Sequence, residues 1–536
     1  MASPELRKFP ANNPAMQALC ERFSRSDEFL FGVELVSVRG SMGERNAVRA
    51  RQFATQLVEN PRVAWISITD NAGGNPQLAP VALGKPILYA GKEVVLHLTC
   101  KDLNRNGLES QAWLLNSEGF YNVLAMTGDY PATGNEGMAK PVFDLDSVGL
   151  IAMLNKMNQG FDEHHEKTQF CIGAVTTNFK LLEGEVIPQY LKLRKKVECG
   201  AQFIINQVGF NARKMQELRI YMNEHGMGRI PLFGNVFLLN SRTASFFHDG
   251  RVPGIVVTTP LLELCRKQGE SPDKGRAFFL ELAAKQVAIY RGLGYRGAYL
   301  GGMHDADAVE KVMTIESGFS ENDWKEFAKE LRFGKPGEFY YYEEDAVTGL
   351  ADATRLTART EAPGAVSAAS YRFSNLVHKV LFTPGGALAR WSAALVRHSA
   401  DPQQGPMPMR VVERLSKSVL YRCKDCGDCS LPDVAFLCPE SQCAKNQRNG
   451  PCGGTREGRC EVEGVGRCIW LRAYERLKHT GASEDMLAHA PVVQDQRLRG
   501  TSSWANNWLG RDHAAKVSGT PPREQSTITN KAKNNE

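Results

Sequence analysis

The sequence lacks any apolar run long enough to cross a bilayer, and its first residues, Met-Ala-Ser-Pro-Glu-Leu-Arg-Lys, lack the apolar core of an export signal. It also lacks a strong excess of one charge, because a net charge of +6 spread over 536 residues is too small to indicate nucleic-acid binding. We therefore predict a cytoplasmic protein with no membrane partner and no nucleic-acid partner. In that compartment cysteine thiols stay reduced.

The chain is too long for one domain, and its hydrophobic content of 42% is that of a globular protein. Changes in composition divide it into five predicted segments. They are a polar lead-in at 1–28, an α/β domain at 29–315, a helical connecting region at 316–420, a cysteine-rich domain at 421–480, and a polar, disordered tail at 481–536.

Two short apolar runs, 94–98 and 122–126, have the pattern of buried parallel strands. The first ends in the polar group His97 to Cys100, and the second is followed by Thr127 to Asp129. In α/β folds, ligands bind at the carboxyl ends of strands. These two strand ends therefore predict a binding site.

Eight such runs alternate with amphipathic segments between residues 29 and 315. They begin near residues 29, 63, 94, 122, 170, 203, 231 and 297. Eight strand–helix units in this length predict a (β/α)8 TIM-type barrel.

The first predicted strand contains an acidic residue, Glu34, within an apolar run. A carboxylate in a buried strand costs several kcal/mol unless it is paired, protonated or used in chemistry. Glu34 is therefore either a structural ion-pair partner or a functional group.

The pair of motifs His-Leu-Thr-Cys at 97–100 and Thr-Gly-Asp-Tyr-Pro at 127–131 resembles the methylenetetrahydrofolate reductases, which show His-Leu-Thr-Cys and Leu-Arg-Gly-Asp-Pro at this spacing. The resemblance covers roughly residues 28–310. It implies a flavin-containing barrel that reduces 5,10-methylenetetrahydrofolate to 5-methyltetrahydrofolate. The implied flavin is FAD, with FMN as the alternative, and NAD(P)H is the implied electron donor.

The resemblance also implies roles for individual residues. Glu34 is the general acid that protonates the folate, and Asp129 is a second catalytic residue that contacts flavin and pterin. Gln207 contacts the pterin ring, whose edge needs a donor and an acceptor. The residues implied to hold the cofactor are Thr69, His97, Thr127, Gly128, Asp129 and Lys196.

The chain departs from the family pattern at several site positions. Thr127 stands where the family has an arginine, Thr176 and Lys180 where it has a tyrosine and a histidine, and Thr243 where it has a glutamine. An arginine after the eighth strand has no counterpart. A reductase of another pterin-bound carrier therefore stays open, as does a non-catalytic electron-transfer or scaffold subunit.

Eight of the 13 cysteines crowd into 46 residues near the carboxyl end. They are Cys423, Cys426, Cys429, Cys438, Cys443, Cys452, Cys460 and Cys468. Close thiolates repel each other unless a cation or cluster neutralises them, so the crowding predicts metal. Three cysteines at C-x2-C-x2-C spacing followed by Cys-Pro favour two [4Fe–4S] clusters, and zinc is the alternative.

This cysteine-rich stretch is similar, over 421–478, to a domain that accompanies some bacterial reductases of the same family. Our prediction is a flavin-dependent folate reductase with a folate substrate and a pyridine nucleotide or an electron-transfer protein as donor. We also expect a homo-oligomer. The donor, the flavin type, the metal and its ligand partition stay open at this point.

Overall fold

The computed structural model describes residues 18–25, 28–161, 165–360 and 365–517. Its largest part is a closed barrel of eight parallel strands in sequence order, with the first strand paired to the eighth. The strands are β1 Leu30–Leu35, β2 Val63–Ile68, β3 Glu93–Thr99, β4 Asn122–Met126, β5 Cys171–Thr176, β6 Phe203–Asn206, β7 Leu232–Phe237 and β8 Gly297–Gly301. The predicted (β/α)8 barrel is confirmed.

Twelve helices belong to this part of the chain or flank it. They are α1 Ala18–Arg25, α2 Arg45–Glu59, α3 Pro80–Tyr89, α4 Arg105–Ser117, α5 Ser147–Gln159, α6 Glu183–Glu198, α7 Ala212–Glu224, α8 Ser241–His248, α9 Thr259–Gly269, α10 Arg276–Gly292, α11 Ala306–Ser317 and α12 Trp324–Glu330. Several begin at an Asn or Asp whose side chain accepts a backbone N–H of the first turn, which satisfies a donor that the helix cannot. These caps are Asn104, Asp146, Asn211, Asn240 and Asp305.

The amino-terminal half of the barrel interior is filled with aromatic rings. Phe23 of α1 enters the barrel at this amino-terminal end. Its ring centroid lies 5.1 Å from that of Trp65, 5.1 Å from that of Phe203 and 4.6 Å from that of Phe233. A Cβ on Gly32 would lie 2.0 Å from the Trp65 ring, so only glycine leaves room for that indole. Because aromatic rings fill this end of the barrel, its open space lies at the carboxyl ends of the strands.

The structure joins Cys20 of α1 to Cys171 of β5 in a disulfide, with the two Cα atoms 5.8 Å apart. The prediction that cysteine thiols stay reduced is therefore wrong for this pair. The bond lies at the closed, amino-terminal end of the barrel.

Residues beyond the barrel pack against its helices α6 and α7, and part of them reaches its open end. They comprise a two-stranded antiparallel sheet, β9 Tyr342–Glu344 and β10 Ala351–Leu356, followed by helices. The helices are α13 Ala365–Phe382, α14 Ala387–Arg397, α15 Met407–Tyr421, α16 Pro439–Gln442, α17 Ile469–Lys478, α18 Ser503–Trp508 and α19 His513–Val517. The predicted connecting region at 316–420 is thus not purely helical, because it contains this sheet.

The predicted disordered tail is wrong for residues 481–517. Met486, Leu487 and Val492 are buried there, and the His513 ring bonds the buried Asp428 carboxylate at 2.5 Å. Residues 1–17 of the predicted lead-in and 518–536 of the predicted tail lie outside the described residues. None of the helices in the described ranges has the length and apolar character needed to cross a bilayer.

Candidate functional site

A cavity of about 270 Å³ opens at the carboxyl ends of the barrel strands. All eight residues that the resemblance assigned to chemistry, cofactor or substrate line it: Glu34, Thr69, His97, Thr127, Gly128, Asp129, Lys196 and Gln207. They come from five different strands or strand ends and one helix. The closed barrel explains why residues so far apart in sequence meet here.

Glu34 projects from β1 into this cavity, beside β8. The Tyr299 hydroxyl donates to its Oε1 at 3.3 Å, and burial raises the pKa of the carboxyl above its ordinary value. No cation pairs with Glu34 among the residues that the structure describes. The structural ion-pair alternative therefore has no support, and the group is suited to carry a proton.

His97 lies across the same wall of the cavity. Its Nε2 is 2.8 Å from Ser67 Oγ and 3.5 Å from Tyr299 Oη. Burial and the nearby charge of Lys101 lower the pKa of His97 to about 3. The imidazole is therefore neutral at physiological pH and serves as a hydrogen-bonding group.

This lowered pKa has a measurable consequence for stability. The unfolded chain binds the His97 proton near pH 6.5 and the folded chain only near pH 3, so stability is complete above pH 6.5 and is lost as the pH falls. Between pH 6.5 and 5 we expect the free energy of unfolding to fall by roughly 1 kcal/mol per pH unit more than in a His97→Gln variant. Urea titrations across this range measure it. An equal slope in both proteins would contradict the neutral state, and the exposed His398→Gln variant should match the native protein.

Asp129 stands at the end of β4 and faces the cavity. Its Oδ2 accepts the backbone N–H of Gly73 at 2.9 Å, which fixes the carboxylate. The preceding Gly128 has φ +85°, and a Cβ there would lie 3.0 Å from Thr99 and 3.1 Å from Lys101. This glycine allows the turn that aims Asp129 inward.

Lys196 of α6 reaches the cavity beneath β5, where its Nζ donates to the Val175 carbonyl at 2.5 Å. Burial and the charge of Lys192 lower the pKa of Lys196 to about 7. The neighbouring lysines Lys192 and Lys195 are buried as well, so this side of α6 is not a solvent-exposed basic surface. A bound anion would favour the charged form of Lys196.

The cysteine-rich segment forms part of the same cavity, which sequence reasoning did not predict. Lys445, Cys452, Gly453, Gly454 and Glu461 all line it. The Lys445 ammonium is buried, donates to the Gly128 carbonyl at 2.8 Å and pairs with Glu461 at 2.5 Å. The barrel and the cysteine-rich segment therefore share one site.

Buried barrel residues hold this segment in place. Lys192 Nζ donates to Gln447 Oε1, Gly450 O and Pro451 O at 3.1–3.2 Å. The Asp146 carboxylate, besides capping α5, accepts the backbone N–H groups of Arg448 and Asn449. Such buried, satisfied contacts make a permanent interface.

Two family departures lie at this interface. The Thr127 hydroxyl donates to Gln447 Oε1 at 3.3 Å, and the Lys180 ammonium bonds the Thr455 carbonyl. These two side chains hold the cysteine-rich segment against the barrel. Thr243, in contrast, caps α8 through Asn240 and does not line the cavity.

The eight cysteines fall into two groups of four. Cys423, Cys426, Cys429 and Cys438 line one small chamber together with Lys417. Lys417 Nζ donates to Cys429 Sγ at 3.3 Å, and the Asp425 backbone N–H donates to Cys423 Sγ at 3.4 Å. Donors aimed at sulfur suit thiolates or metal-bound sulfur.

The second group is Cys443, Cys452, Cys460 and Cys468. Burial, with a smaller contribution from the charge of Cys452, raises the pKa of both Cys443 and Cys468 to about 12. Backbone N–H groups of Gln447, Gly454 and Val462 point at three of the four sulfurs. Within the described ranges, no three His, Cys, Asp or Glu side chains are arranged to hold a single metal ion. The metal ligation therefore stays a prediction.

Tyr299 is the main functional residue that sequence reasoning missed. It is the one side chain of the Gly-Ala-Tyr-Leu-Gly run of β8 that can form hydrogen bonds, and this feature of the sequence could have identified it as a candidate. No local sequence pattern indicates that Lys445 and Glu461 line the cavity, because the contact of Lys445 with the barrel joins residues more than 300 positions apart.

Comparison with known proteins agrees with this geometry. Residues 19–313 match the family model described as methylenetetrahydrofolate reductase, and residues 407–496 match the one described as methylene-tetrahydrofolate reductase C terminal. Methylenetetrahydrofolate reductase 2 of Schizosaccharomyces pombe is 23% identical over 275 residues, which are 49% of this chain and 38% of that protein. The chain thus matches well under half of the length of this curated relative.

Similar solved structures include an uncharacterized protein from Clostridium thermocellum that binds two copies of 5-methyl-5,6,7,8-tetrahydrofolic acid. It is 9% identical, with a TM-score of 0.41, and covers 55% of this chain and 96% of its own. A putative phosphonomutase from Burkholderia cenocepacia is 14% identical with a TM-score of 0.30, over 57% of this chain and 98% of its own. Because the first family model spans more than half of the sequence and its motif residues meet in one cavity, the chain belongs to the methylenetetrahydrofolate reductase family.

Proposed function

We propose that this protein reduces 5,10-methylenetetrahydrofolate to 5-methyltetrahydrofolate in the cavity at the barrel mouth. One observation carries the proposal: a buried carboxyl with a raised pKa, a fixed carboxylate and an amide line a single cavity. These are Glu34, Asp129 and Gln207. The reaction needs a proton donor beside the substrate nitrogen and groups that orient the pterin.

Glu34 supplies the proton. Burial raises its pKa by more than the hydrogen bond from Tyr299 lowers it, so the carboxyl can hold a proton that its exposed counterpart would have lost. Transfer of this proton to the substrate nitrogen opens the five-membered ring and leaves an electrophilic iminium carbon. The Tyr299 hydroxyl then stabilises the resulting Glu34 carboxylate.

Asp129 and Gln207 orient the pterin. The Asp129 carboxylate is fixed by the hydrogen bond from the Gly73 N–H. The amide of Gln207 is fixed because its Oε1 accepts the Val208 N–H at 2.9 Å. The Gln207 NH2 group is left to donate into the cavity. A carboxylate and an amide donor complement the amino and carbonyl groups of a pterin edge.

The residues of the cavity fit a flavin. One wall is apolar, formed by Leu124, Met126, Val175 and Ile205, while polar groups ring the opposite side. Thr69, His97, Thr127, Gly128, Asp129 and Lys196 would hold it, and a charged Lys196 suits the negative charge of a reduced flavin ring. When bound, the flavin supplies hydride to the substrate carbon.

The two cysteine groups would hold two [4Fe–4S] clusters, with zinc as the alternative. Two groups of four ligands with N–H donors aimed at sulfur support a metal at each. Electrons would come from these clusters or from NAD(P)H.

The experiment that tests the function uses protein purified without air. We expect a flavin absorbance spectrum, and we expect 5,10-methylenetetrahydrofolate to reoxidise the chemically reduced flavin with formation of 5-methyltetrahydrofolate. Metal analysis of the same sample distinguishes iron and sulfide from zinc. A sample that holds no flavin after reconstitution, or whose reduced flavin ignores the folate, would overturn the proposal.

A further inference from the structure

The helices between the barrel and the cysteine-rich segment expose an unusual amount of apolar surface. We call this surface the outer face and define it by Phe373 and Leu376 of α13, Leu388 and Trp391 of α14, and Leu415 and Val419 of α15. Trp391 is 68% exposed and Val419 is 80% exposed. All six side chains are more than a third exposed, and Phe373 of α13 and Val419 of α15 line one cleft, so exposed apolar surface of two helices meets there.

Helix α15 shows that this exposure is built into the sequence. Its buried side carries charges, since Arg410 and Glu413 form an ion pair at 3.2 Å and the buried Lys417 bonds Ser503 at 2.5 Å. Ser502 and Ser503 also donate to the Glu413 carboxylate at 2.6 and 2.7 Å. An amphipathic helix normally buries its apolar side. Here the charged network fixes the helix with its apolar side outward, where a partner can cover it.

The exposed charges within these three helices have one sign. The exposed cations on the three helices are Arg372, Lys379, Arg390, Arg397 and Arg414. Glu413 is the single acidic residue in these helices, and it is buried. A second copy of the chain would bring like charges together on this face, so the face complements an acidic partner.

A cleft of about 680 Å³ opens beside the outer face and carries three more cations, Arg422, Arg472 and Arg476. Phe373 and Val419 of the outer face line its rim. Arg472 donates to Gln442 Oε1, and Arg476 donates to two backbone carbonyls, both at 2.8–2.9 Å. Among the residues that the structure describes, these arginines form no ion pair. A concave site with unpaired guanidinium groups fits protruding carboxylates better than it fits a flat bilayer.

The cleft lies between the two cysteine groups. Cys443 of the second group lines it directly, and Tyr421 and Glu440 line both the cleft and the chamber of the first group. The cleft therefore borders both cysteine groups. Electron transfer requires a short separation between donor and acceptor, whereas simple structural docking does not.

We propose that the outer face and its arginine cleft dock an acidic electron-carrier protein of the ferredoxin or flavodoxin class. Acidic side chains of the carrier enter the cleft, and its apolar surface covers the outer face. The cysteines would hold the centres that take one electron from each docked carrier, and two such transfers with two protons from solvent would match the two-electron reduction of the folate. This inference rests on the proposed function, because it names the source of that reaction's electrons.

The test uses full-length protein purified without air and a purified acidic two-[4Fe–4S] ferredoxin, with an acidic flavodoxin as the second probe. Binding is measured by calorimetry at low and high salt, and transfer by the rate at which the reduced carrier is oxidised. We expect Arg472→Glu/Arg476→Glu to weaken binding at least tenfold and to remove most of its salt dependence. Arg45→Glu/Arg49→Glu, an equally spaced pair on barrel helix α2, should change neither.

A second variant guards against misfolding of the cleft. Leu415→Asp places a charge on the exposed apolar side of α15, away from its buried network, and should also weaken carrier binding at least tenfold with unchanged circular dichroism. Both variants should keep folate turnover when a viologen dye supplies the electrons. Loss of that turnover in every protein, with carrier binding intact, would reject the proposed function and leave the docking site standing.

Three results would overturn the docking proposal. The first is that neither carrier binds the native protein. The second is that the native protein sediments as a dimer that Leu415→Asp converts to monomers, which would mean that the outer face joins two copies. The third is that the native protein floats with anionic phosphatidylglycerol vesicles while Leu415→Asp does not, which would mean that the outer face binds a membrane surface.

Discussion

Glu34→Gln is expected to lower the turnover of 5,10-methylenetetrahydrofolate by about 10²- to 10⁴-fold while leaving chemical reduction of the flavin nearly unchanged. The amide keeps the size and hydrogen-bonding capacity of the side chain but cannot give a proton to the substrate nitrogen. Stopped-flow absorbance separates the two steps, since reduction of the flavin and its reoxidation by the folate are observed in succession.

A matched control is available on the neighbouring part of the same barrel. Glu93 also has a pKa raised by burial, but it begins β3 at the closed end, where it accepts from Asn122 at 2.9 Å. Glu93→Gln should therefore keep full turnover. Normal turnover in Glu34→Gln, or an equal loss in both variants, would remove Glu34 from its role as acid.

The raised pKa of Glu34 also determines how Glu34→Gln should change the free energy of unfolding. A carboxyl whose folded pKa exceeds its unfolded value favours the fold at low pH, and that contribution is lost as the pH rises through the unfolded value toward the folded one. Above this window the native protein bears the cost of a buried carboxylate, and Glu34→Gln does not. The variant should thus be at least as stable as the native protein at pH 8, which distinguishes a lost acid from a damaged fold.

The barrel was predictable because its strands are local signals. Strands buried on both sides must be continuously apolar, and β3 and β4 keep that pattern to within one residue of the predicted runs. The polar residues after each run then had to lie at one end of the barrel. This topological rule placed Thr69, His97 and Asp129 around one cavity without any knowledge of their contacts.

The rest of the site could not be predicted, because it depends on contacts between distant parts of the chain. Thr127 differed from the family arginine for no visible local reason, and its bond to Gln447 across 320 residues supplies that reason. The packed segment 481–517 was missed for a similar cause. Its polar composition indicates disorder, yet buried polar bonds such as the one between His513 and Asp428 hold it.

The largest effect on the amount of bound metal is expected from substitutions of the cysteines. Cys429→Ser in the first group and Cys452→Ser in the second should each remove half of the bound metal, which is about four of eight irons if both groups hold clusters. The buried Cys265→Ser, in a barrel helix, should keep all of it. Iron, sulfide and zinc analysis of the three proteins measures this. Loss of all metal in either variant would contradict two independent groups.

The two cysteine variants should differ in a second way, because Cys452 lines the barrel cavity and Cys429 does not. Loss of the second group frees the loop that carries Gly453 and Gly454, together with Lys445 and its bond to Gly128. Cys452→Ser should therefore shift the flavin absorbance and weaken folate binding, whereas Cys429→Ser should leave both unchanged. Equal flavin spectra in the two variants would mean that the cysteine-rich segment only covers the barrel. A difference would make the second group part of the reaction site and place the first group closer to the source of electrons.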